Sequence, residues 1–575
     1  MKKNIYYIFS TLFVAFATLT SCVDTVILPD DKTVDEDFWK TKDDVSLIVN
    51  KAYQSMLSSD LIQRIIVWAD FRSDELDYES KISSSVRDDL EEISAANIQT
   101  DNIFNDWSTL YSVINYCNIV LEKSKGVMTL DPNYTSGDYK TDCSQMRALR
   151  ALCYFYLVRV FRDIPVTPGA YMNSSQEMNL SQSAPLAVID SCIADLKDAE
   201  NNALMASNYS DWRKVGYITQ TGVQAILADV YLWRASVMHS EADYRNCIEY
   251  CDKVIKAKQA QFVPRPGQVI DEKDIYHLAK FNNFYNDIFA QGGQNSYESI
   301  FELQFNGSTN SNQGVCVMYD RIASNSTSSY LRVPAQTFGR IGTGCIFEKT
   351  LDQRAYESVY DINGSADNFS VRKMVATDGC MKTGASESKN TNVNNFGSYD
   401  RNWIIYRLTD VLLMKAEALV QLTGGDNENP MAEQAFALVQ AVNTRALTAE
   451  SDSMKWATYK AQDLELLILN ERARELCFEG KRWFDLLRFN YRHVEGVDYT
   501  TTLAAQDKAN KGFVANYSEM MNIFVKKYAG DGNSIKYKMP TEPYLYMPIL
   551  QKQIDVNPLL DQSPVYSENN MWKKD

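Results

Sequence analysis

The sequence predicts a mainly α-helical protein: a scaffold of tetratricopeptide-like helical hairpins interrupted by a loop-rich insertion that carries short strands. Three observations predict it. Apolar residues recur at helical spacing through the first and last thirds of the chain. Two hairpins of predicted helices match each other at a constant offset of 188 positions. Between them, from about Phe262 to Asp400, helical periodicity gives way to Gly, Asn, Ser and Thr.

The chain begins with Lys2 and Lys3, an apolar stretch from Ile5 to Leu19, and Leu19-Thr20-Ser21-Cys22. A basic start, a short apolar run and a small residue before the cut describe a secretory signal. Leu-Thr-Ser-Cys resembles the bacterial lipobox, in which the Cys thiol is diacylated and becomes the first mature residue. Residues 1–21 are then the signal peptide, Cys22 the lipidation site and 22–35 a tether. The competing readings are an ordinary signal with an incidental Cys, or a buried N-terminal helix. Removing 1–21 deletes two Lys and no acid, moving the formal charge from -16 to -18. Acyl chains would hold the body to a membrane face, at about 0.8 kcal/mol per buried CH2. No apolar run beyond residue 19 is long enough to span a bilayer.

The region 36–260 is read as helical. Asp43 to Ser58 carries Val45, Ile48, Val49, Ala52, Tyr53 and Met56 on one face. Ile103 to Glu122 and Gln145 to Phe161 show the same spacing, the latter stopping before Asp163-Ile164-Pro165 because proline disfavours helix in the residue before it. Leu61 to Gln99 reads as a mixed, polar stretch between helices. Thr219 to Val237 pairs with Tyr244 to Ala257, and Trp403 to Leu422 with Met431 to Ala446. Ala228, Tyr231, Cys247, Cys251 and Val254 become Ala416, Leu419, Ala435, Val439 and Val442 on adding 188. Small and large apolar positions coincide, as in stacked helical repeats. The segment 261–400 is the insertion, with strand-like runs such as Ser299 to Phe305. The segment 401–575 returns to helix.

Composition excludes several functions. The 575 residues carry 58 Lys+Arg against 74 Asp+Glu, which argues against nonspecific binding to nucleic acid. Only His239, His277 and His493 are present, leaving little for His-based metal sites or a His base. There is no CxxC pair, phosphate loop or GxGxxG, so no cofactor is expected. Cys316, Cys345 and Cys380 fall in loop-rich sequence where pairing is open. Asp361 to Asp367 hints at a calcium loop but lacks Gly at its sixth position and Glu at its twelfth.

From Leu464 the helix to Phe478 runs into Glu479-Gly480-Lys481-Arg482-Trp483-Phe484-Asp485-Leu486-Leu487-Arg488-Phe489. Gly480 suits the left-handed position that ends a helix. Glu471, Arg474, Glu475, Arg482, Asp485 and Arg488, interleaved with Trp483 and Leu, read as a packed structural network and not as catalytic carboxylates. A general acid needs a raised pKa, whereas neighbouring Arg keeps these acids ionised.

This block resembles the C-terminal signature of the SusD/RagB family of outer-membrane nutrient-binding lipoproteins. Phe38-Trp39-Lys40-Thr41, Arg150 to Arg159, Tyr406 to Ala418, and Tyr546-Met547-Pro548-Ile549 with Asn557-Pro558 and Gln562 also look like the family, in the right order. The resemblance implies a helical fold with four tetratricopeptide-like units under a variable ligand face, and a place on the outer leaflet. It also implies a SusC-like TonB-dependent transporter as partner, and capture of oligosaccharides, in some cases peptides, without catalysis.

Sugar capture uses aromatic faces together with polar groups that bridge hydroxyls. Loop residues of those types are Trp68, Asp70, Arg72, Asp74 and Tyr78, and in the insertion Tyr285, Tyr297, Tyr319, Arg321, Tyr330, Phe396 and Tyr399. Trp39, Trp107, Trp233, Trp403 and Trp483 are assigned to the scaffold. The expected function is a cell-surface glycan-binding lipoprotein that delivers its ligand to the transporter. Alternatives are a peptide-binding relative, a structural assembly protein of the outer membrane, and a secreted glycoside hydrolase.

Overall fold

Reciprocal capping boxes start two of the first helices. Asp44 N donates to Thr41 Oγ1 at 3.4 Å and Thr41 N to Asp44 Oδ2 at 2.7 Å, opening Lys42–Ser55. Thr135 and Asp138 repeat the device at 3.2 and 2.9 Å to open Ser136–Phe161. Each such cap contributes about 1 kcal/mol. The computed structural model describes residues 38–80, 84–173, 175–264, 274–280, 284–289, 294–319, 329–360, 362, 369–376, 382–383, 386–387, 399–448 and 453–566.

The helices pack in chain order. Ser108–Leu130 lies against Lys42–Ser55 and against Ser136–Phe161, which lies against Pro185–Glu200; that helix contacts Gln220–Met238. Gln220–Met238 pairs with Glu241–Gln261, Glu241–Gln261 with Leu408–Gln421, and Leu408–Gln421 with Pro430–Ala446. Leu464–Leu476 and Arg482–Arg492 close the row. Each helix finding its partner in the next is the packing of a helical repeat array. The ten residues matched at offset 188 are all buried, so the match reflects a shared packing surface. The turns differ: residues 239–240 link the first pair, with His239 left-handed at φ 51°, while 422–429 link the second. Among the described residues no helix is long and apolar enough to cross a membrane.

Several elements differ from the sequence reading. Residues 403–407 are a strand, not the start of a helix. Trp-Ile-Ile-Tyr-Arg is aromatic and β-branched, which suits a pleated surface, and it pairs antiparallel with Ser299–Leu303, both strands buried at every position. The helix read from Ile103 begins at Ser108, after a short 3-10 turn at Ile103–Asn105. The stretch 61–99 is largely ordered into secondary structure: Ser59–Ile66 is helical, Val67–Phe71 widens into a π-turn, and Ser85–Ser94 is a further helix. The helix from Leu464 ends at Leu476 and is capped by Cys477, so Phe478, at φ 63°, takes the left-handed position assigned to Gly480. Gly480 is itself left-handed at φ 74°, and a Cβ there would lie 3.0 Å from Trp403 Cζ2 and 3.1 Å from Ile65 Cγ2. The remaining strands of the insertion are two-residue pairs, including Asp77–Tyr78 with Leu331–Arg332. Cys247 and Cys251 line one helix face with their sulfurs 3.9 Å apart.

Candidate functional site

The 67–80 segment divides into an interior part and an outer part. Trp68, Asp70, Arg72 and Asp74, read from the sequence as a ligand cluster, are buried, with exposures of 1, 0, 5 and 1%. Trp68 Nε1–H donates to the Phe104 carbonyl at 2.8 Å. Asp74 binds the Arg482 guanidinium side-on, at 2.7 and 3.0 Å. Tyr319, also buried, donates its hydroxyl to Asp70 at 2.8 Å. Asp70 and Glu75 hold the loop after the Leu464–Leu476 helix: Asp70 accepts from Gly480 N and Lys481 N, and Glu75 accepts from Phe478 N at 3.0 Å. These side chains are turned into the interior and form no surface for an oligosaccharide, and their partners explain why. Polar groups in this segment serve the backbone and arginines of a helix pair some 400 residues away. Burial is the main cause that pushes the Asp70 carboxyl up to about 7, against the opposing hydrogen bonds from Tyr319, Gly480 and Lys481.

The outer part begins at Asp77–Tyr78. The register sets Asp77 opposite Arg332 and Tyr78 opposite Leu331, and Glu79 N donates to the Tyr330 carbonyl at 2.8 Å. Tyr78 and Tyr330 therefore meet at one strand pair, and both are half-buried. Strand alternation puts Tyr330 on the face of Asp77 and Arg332, and Tyr78 on the other. Arg332 Nη2 bonds Asp77 Oδ2 at 2.9 Å. Burial raises the Tyr78 phenol, helped by the acids Glu91 and Asp77 and opposed by Arg87 and Arg332. One face of the strand pair thus presents the half-buried Tyr330 ring beside the Asp77–Arg332 ion pair, able to stack a ring and to exchange hydrogen bonds with hydroxyls, while Tyr78 lies on the reverse face.

The other candidates scatter. Tyr399 is buried and donates its hydroxyl to the Met374 carbonyl. Tyr297 is half-buried with its ring edge-on to Phe262 at 5.2 Å. Cys22, Arg321, Phe396, the 361–367 loop apart from Ile362, and the side chain of Tyr285 lie outside the described residues. Among the described residues no cluster of three or more His, Cys, Asp or Glu is arranged to hold a metal ion.

The charges of the C-terminal block separate into distinct groups. Glu475 receives Arg354 at 3.0 Å, Arg407 at 2.5 Å and also Arg445. Glu471 binds Arg354 at 2.8 Å and Arg474 at 2.9 Å. A second group forms around Arg472, which joins Asp410 and Asp485, and Arg488, which joins Asp485 and Glu417. Arg482 turns away to Asp74, and Trp483 stacks under Arg72 at 4.7 Å. Burial raises the Glu471 and Glu475 carboxyls, but the surrounding Arg outweighs it and both lie below the usual range. Such acids accept charge-assisted bonds and do not donate protons. Arg354 and Arg445, central to this arrangement, were not singled out in the sequence; they sit far from the block in the chain, and only their placement beside Glu475 reveals them.

Two family models match the chain. One described as "SusD family" matches residues 297–566, and one described as "Starch-binding associating with outer membrane" matches 31–232. SusD-like protein P38 of Formosa agariphila is 25% identical over 85% of this chain and 92% of its own length. SusD-like protein P2 of the same organism is 24% identical over 83% and 90%. A solved SusD homolog from Bacteroides thetaiotaomicron superposes with a TM-score of 0.64 at 16% identity, covering 92% of this chain and 98% of that one. A SusD superfamily protein from Parabacteroides distasonis gives 0.63 at 21%, covering 91% and 99%. At those identities the structures speak for the fold.

Proposed function

The chain belongs to the SusD/RagB family, and on that premise we propose that it is a cell-surface binding protein for an oligosaccharide. In this reading it is anchored through acylated Cys22 at the outer membrane and hands its ligand to a SusC-like TonB-dependent transporter. The observation that carries the reading is the match of both family models, one of them to a group described as starch-binding and associated with the outer membrane.

The chemistry of the described residues supports binding over catalysis. The carboxylates of the C-terminal block are buried and ion-paired, whereas partly accessible polar and aromatic groups are present at the Asp77–Tyr78 and Leu331–Arg332 strand pair, among other places. A neutral polyol can stack a C–H face on the Tyr330 ring and bridge its hydroxyls to Asp77 and Arg332 on the same face.

Affinity electrophoresis and calorimetry over a glycan panel test the proposal. Retardation by at least one glycan, without release of products, is the expected outcome. No binding to any glycan together with clear peptide binding would remove the sugar and leave nutrient capture. The partner and the anchor are tested in membranes of the source cell. A TonB-dependent transporter is expected to co-purify with the wild-type chain, and Cys22→Ser is expected to release the chain from the membrane.

A further inference from the structure

A cavity of about 20 Å³ lies between the π-turn at Val67–Phe71 and the segments near 524–528 and 539–566. That exceeds the roughly 10–15 Å³ that one water-sized occupant needs. Two cations line it, Arg72 and Lys527, both at least nine-tenths buried. No Asp or Glu is among its lining residues. Neither cation forms an ion pair among the described residues. Arg72 donates one weak bond, 3.4 Å to the Tyr544 carbonyl, and its Nη1 has no partner. Lys527 gives two of its three protons to the Phe71 and Leu76 carbonyls, at 2.7 and 3.0 Å. Trp483, which also lines the cavity and stacks against Arg72, has a buried Nε1–H without an acceptor.

Elsewhere this protein compensates its buried arginines with carboxylates. Here the nearby acids are already engaged: Asp74 by Arg482 at 2.7 Å, and Asp77 by Arg332 at 2.9 Å. An uncompensated buried charge is costly, and a counter-charge of the right size removes the cost. We propose that this cavity is an anion-binding site that takes one chloride-sized monovalent ion between the Arg72 guanidinium, the Lys527 ammonium and the Trp483 Nε1–H. The depressed basicity of both cations has the same origin. Burial, the largest cause, brings Arg72 to about 10 and Lys527 to about 8, and Arg72 further lowers Lys527. Ala96 and Tyr544, which also line the cavity, are half-buried and not sealed from solvent.

Crystals of the mature protein grown in sodium bromide, with anomalous diffraction at the bromine edge, test the site directly. One bromide peak is expected in the cavity, in contact with Arg72 Nη1. In solution, thermal unfolding in sodium bromide or chloride is compared with sodium gluconate at equal ionic strength. A Tm higher by about 1–3 °C in the halides is expected. Trp483→Phe and Lys527→Met should each reduce that halide dependence, the first by removing a single donor while keeping an aromatic ring. Water alone in the cavity of the wild type, bromide only at exposed lysines, or equal Tm in halide and gluconate would each overturn the proposal.

Discussion

Both carboxylate oxygens of Asp70 accept the Gly480 N–H, at 3.0 and 2.9 Å, across 410 positions of sequence. The bond ties a π-turn in the first quarter of the chain to the loop that joins the last two helices of the scaffold. Because burial raises the Asp70 carboxyl from 3.8 to about 7, the folded state binds a proton more readily than the unfolded chain. The stability this group contributes is therefore complete below about pH 4 and is lost as pH rises toward 7. Asp70→Asn should flatten the dependence of the urea midpoint over that window. Glu75 is raised by burial and next by the Asp70 charge itself, so the variant also relieves part of the Glu75 shift and flattens the slope further. An unchanged slope in the variant would show that Asp70 ionises normally.

The carboxylates around the arginines behave in the opposite sense. Burial raises Asp410, but Lys481 and Arg472 outweigh it and bring it down to about 2; Glu417, Glu471, Glu475 and Glu479 are lowered in the same manner. Their contribution is complete above about pH 4 and is lost as pH falls toward 2. Unfolding followed by circular dichroism should show a steep acid limb below pH 4, separate from the gentler decline between pH 4 and 7.

Glu475→Gln isolates one of these groups. It leaves Arg354, Arg407 and Arg445 facing an amide, with Asp352, Glu471, Glu479 and Glu298 among their other acids. Removing one partner from a buried ionic group costs about 3–5 kcal/mol. Chemical denaturation should show a loss of that size, and a loss below about 1 kcal/mol would mean that the neighbouring acids compensate fully.

The helical frame was legible in the sequence because its signal is local. Apolar spacing marks Lys42–Ser55 and Gln220–Met238, and the offset of 188 relates two hairpins whose matched residues are buried together. The interior roles of Asp70, Arg72 and Asp74 were not legible, because polar residues beside Trp68 and Tyr78 in a mixed stretch read as a ligand cluster unless their partners are known. Those partners are Gly480, Trp483 and Arg482, on a helix pair that no local pattern links to residue 70. The strand at 403–407 was merged with the helix after it for a related reason: its pairing partner, Ser299–Leu303, lies a hundred residues earlier.

Gly480→Ala probes that same junction from the backbone side. A left-handed φ of 74° costs a non-glycine residue about 1–2 kcal/mol, and the added methyl would press on Trp403 and Ile65 at 3.0 and 3.1 Å. Overpacking of this kind costs a further 1–3 kcal/mol, roughly. A drop in stability of about 2–5 kcal/mol is expected by denaturant titration. Gly424→Ala provides a control, since φ there is 60° but nothing lies within 4 Å of the added Cβ.

The distinction between the interior and outer parts of the 67–80 segment has its own test. Trp68→Ala would open a cavity against Phe104 and Phe161 and should cost about 3–5 kcal/mol of stability. Tyr78→Ala and Tyr330→Ala remove half-buried rings at the strand pair, so their effect on stability should be smaller. If the Asp77–Arg332 face contacts the ligand, Tyr330→Ala should weaken glycan affinity about 3- to 10-fold by calorimetry, the range set by one aromatic contact of about 0.5–1.5 kcal/mol, while Tyr78→Ala on the reverse face should leave it unchanged. Arg332→Ala should act in the same direction as Tyr330→Ala, because it also frees Asp77 from its ion pair. Undiminished affinity in both Tyr330→Ala and Arg332→Ala, with a glycan known to bind the wild type, would move the contact surface away from this face while leaving the capture function intact.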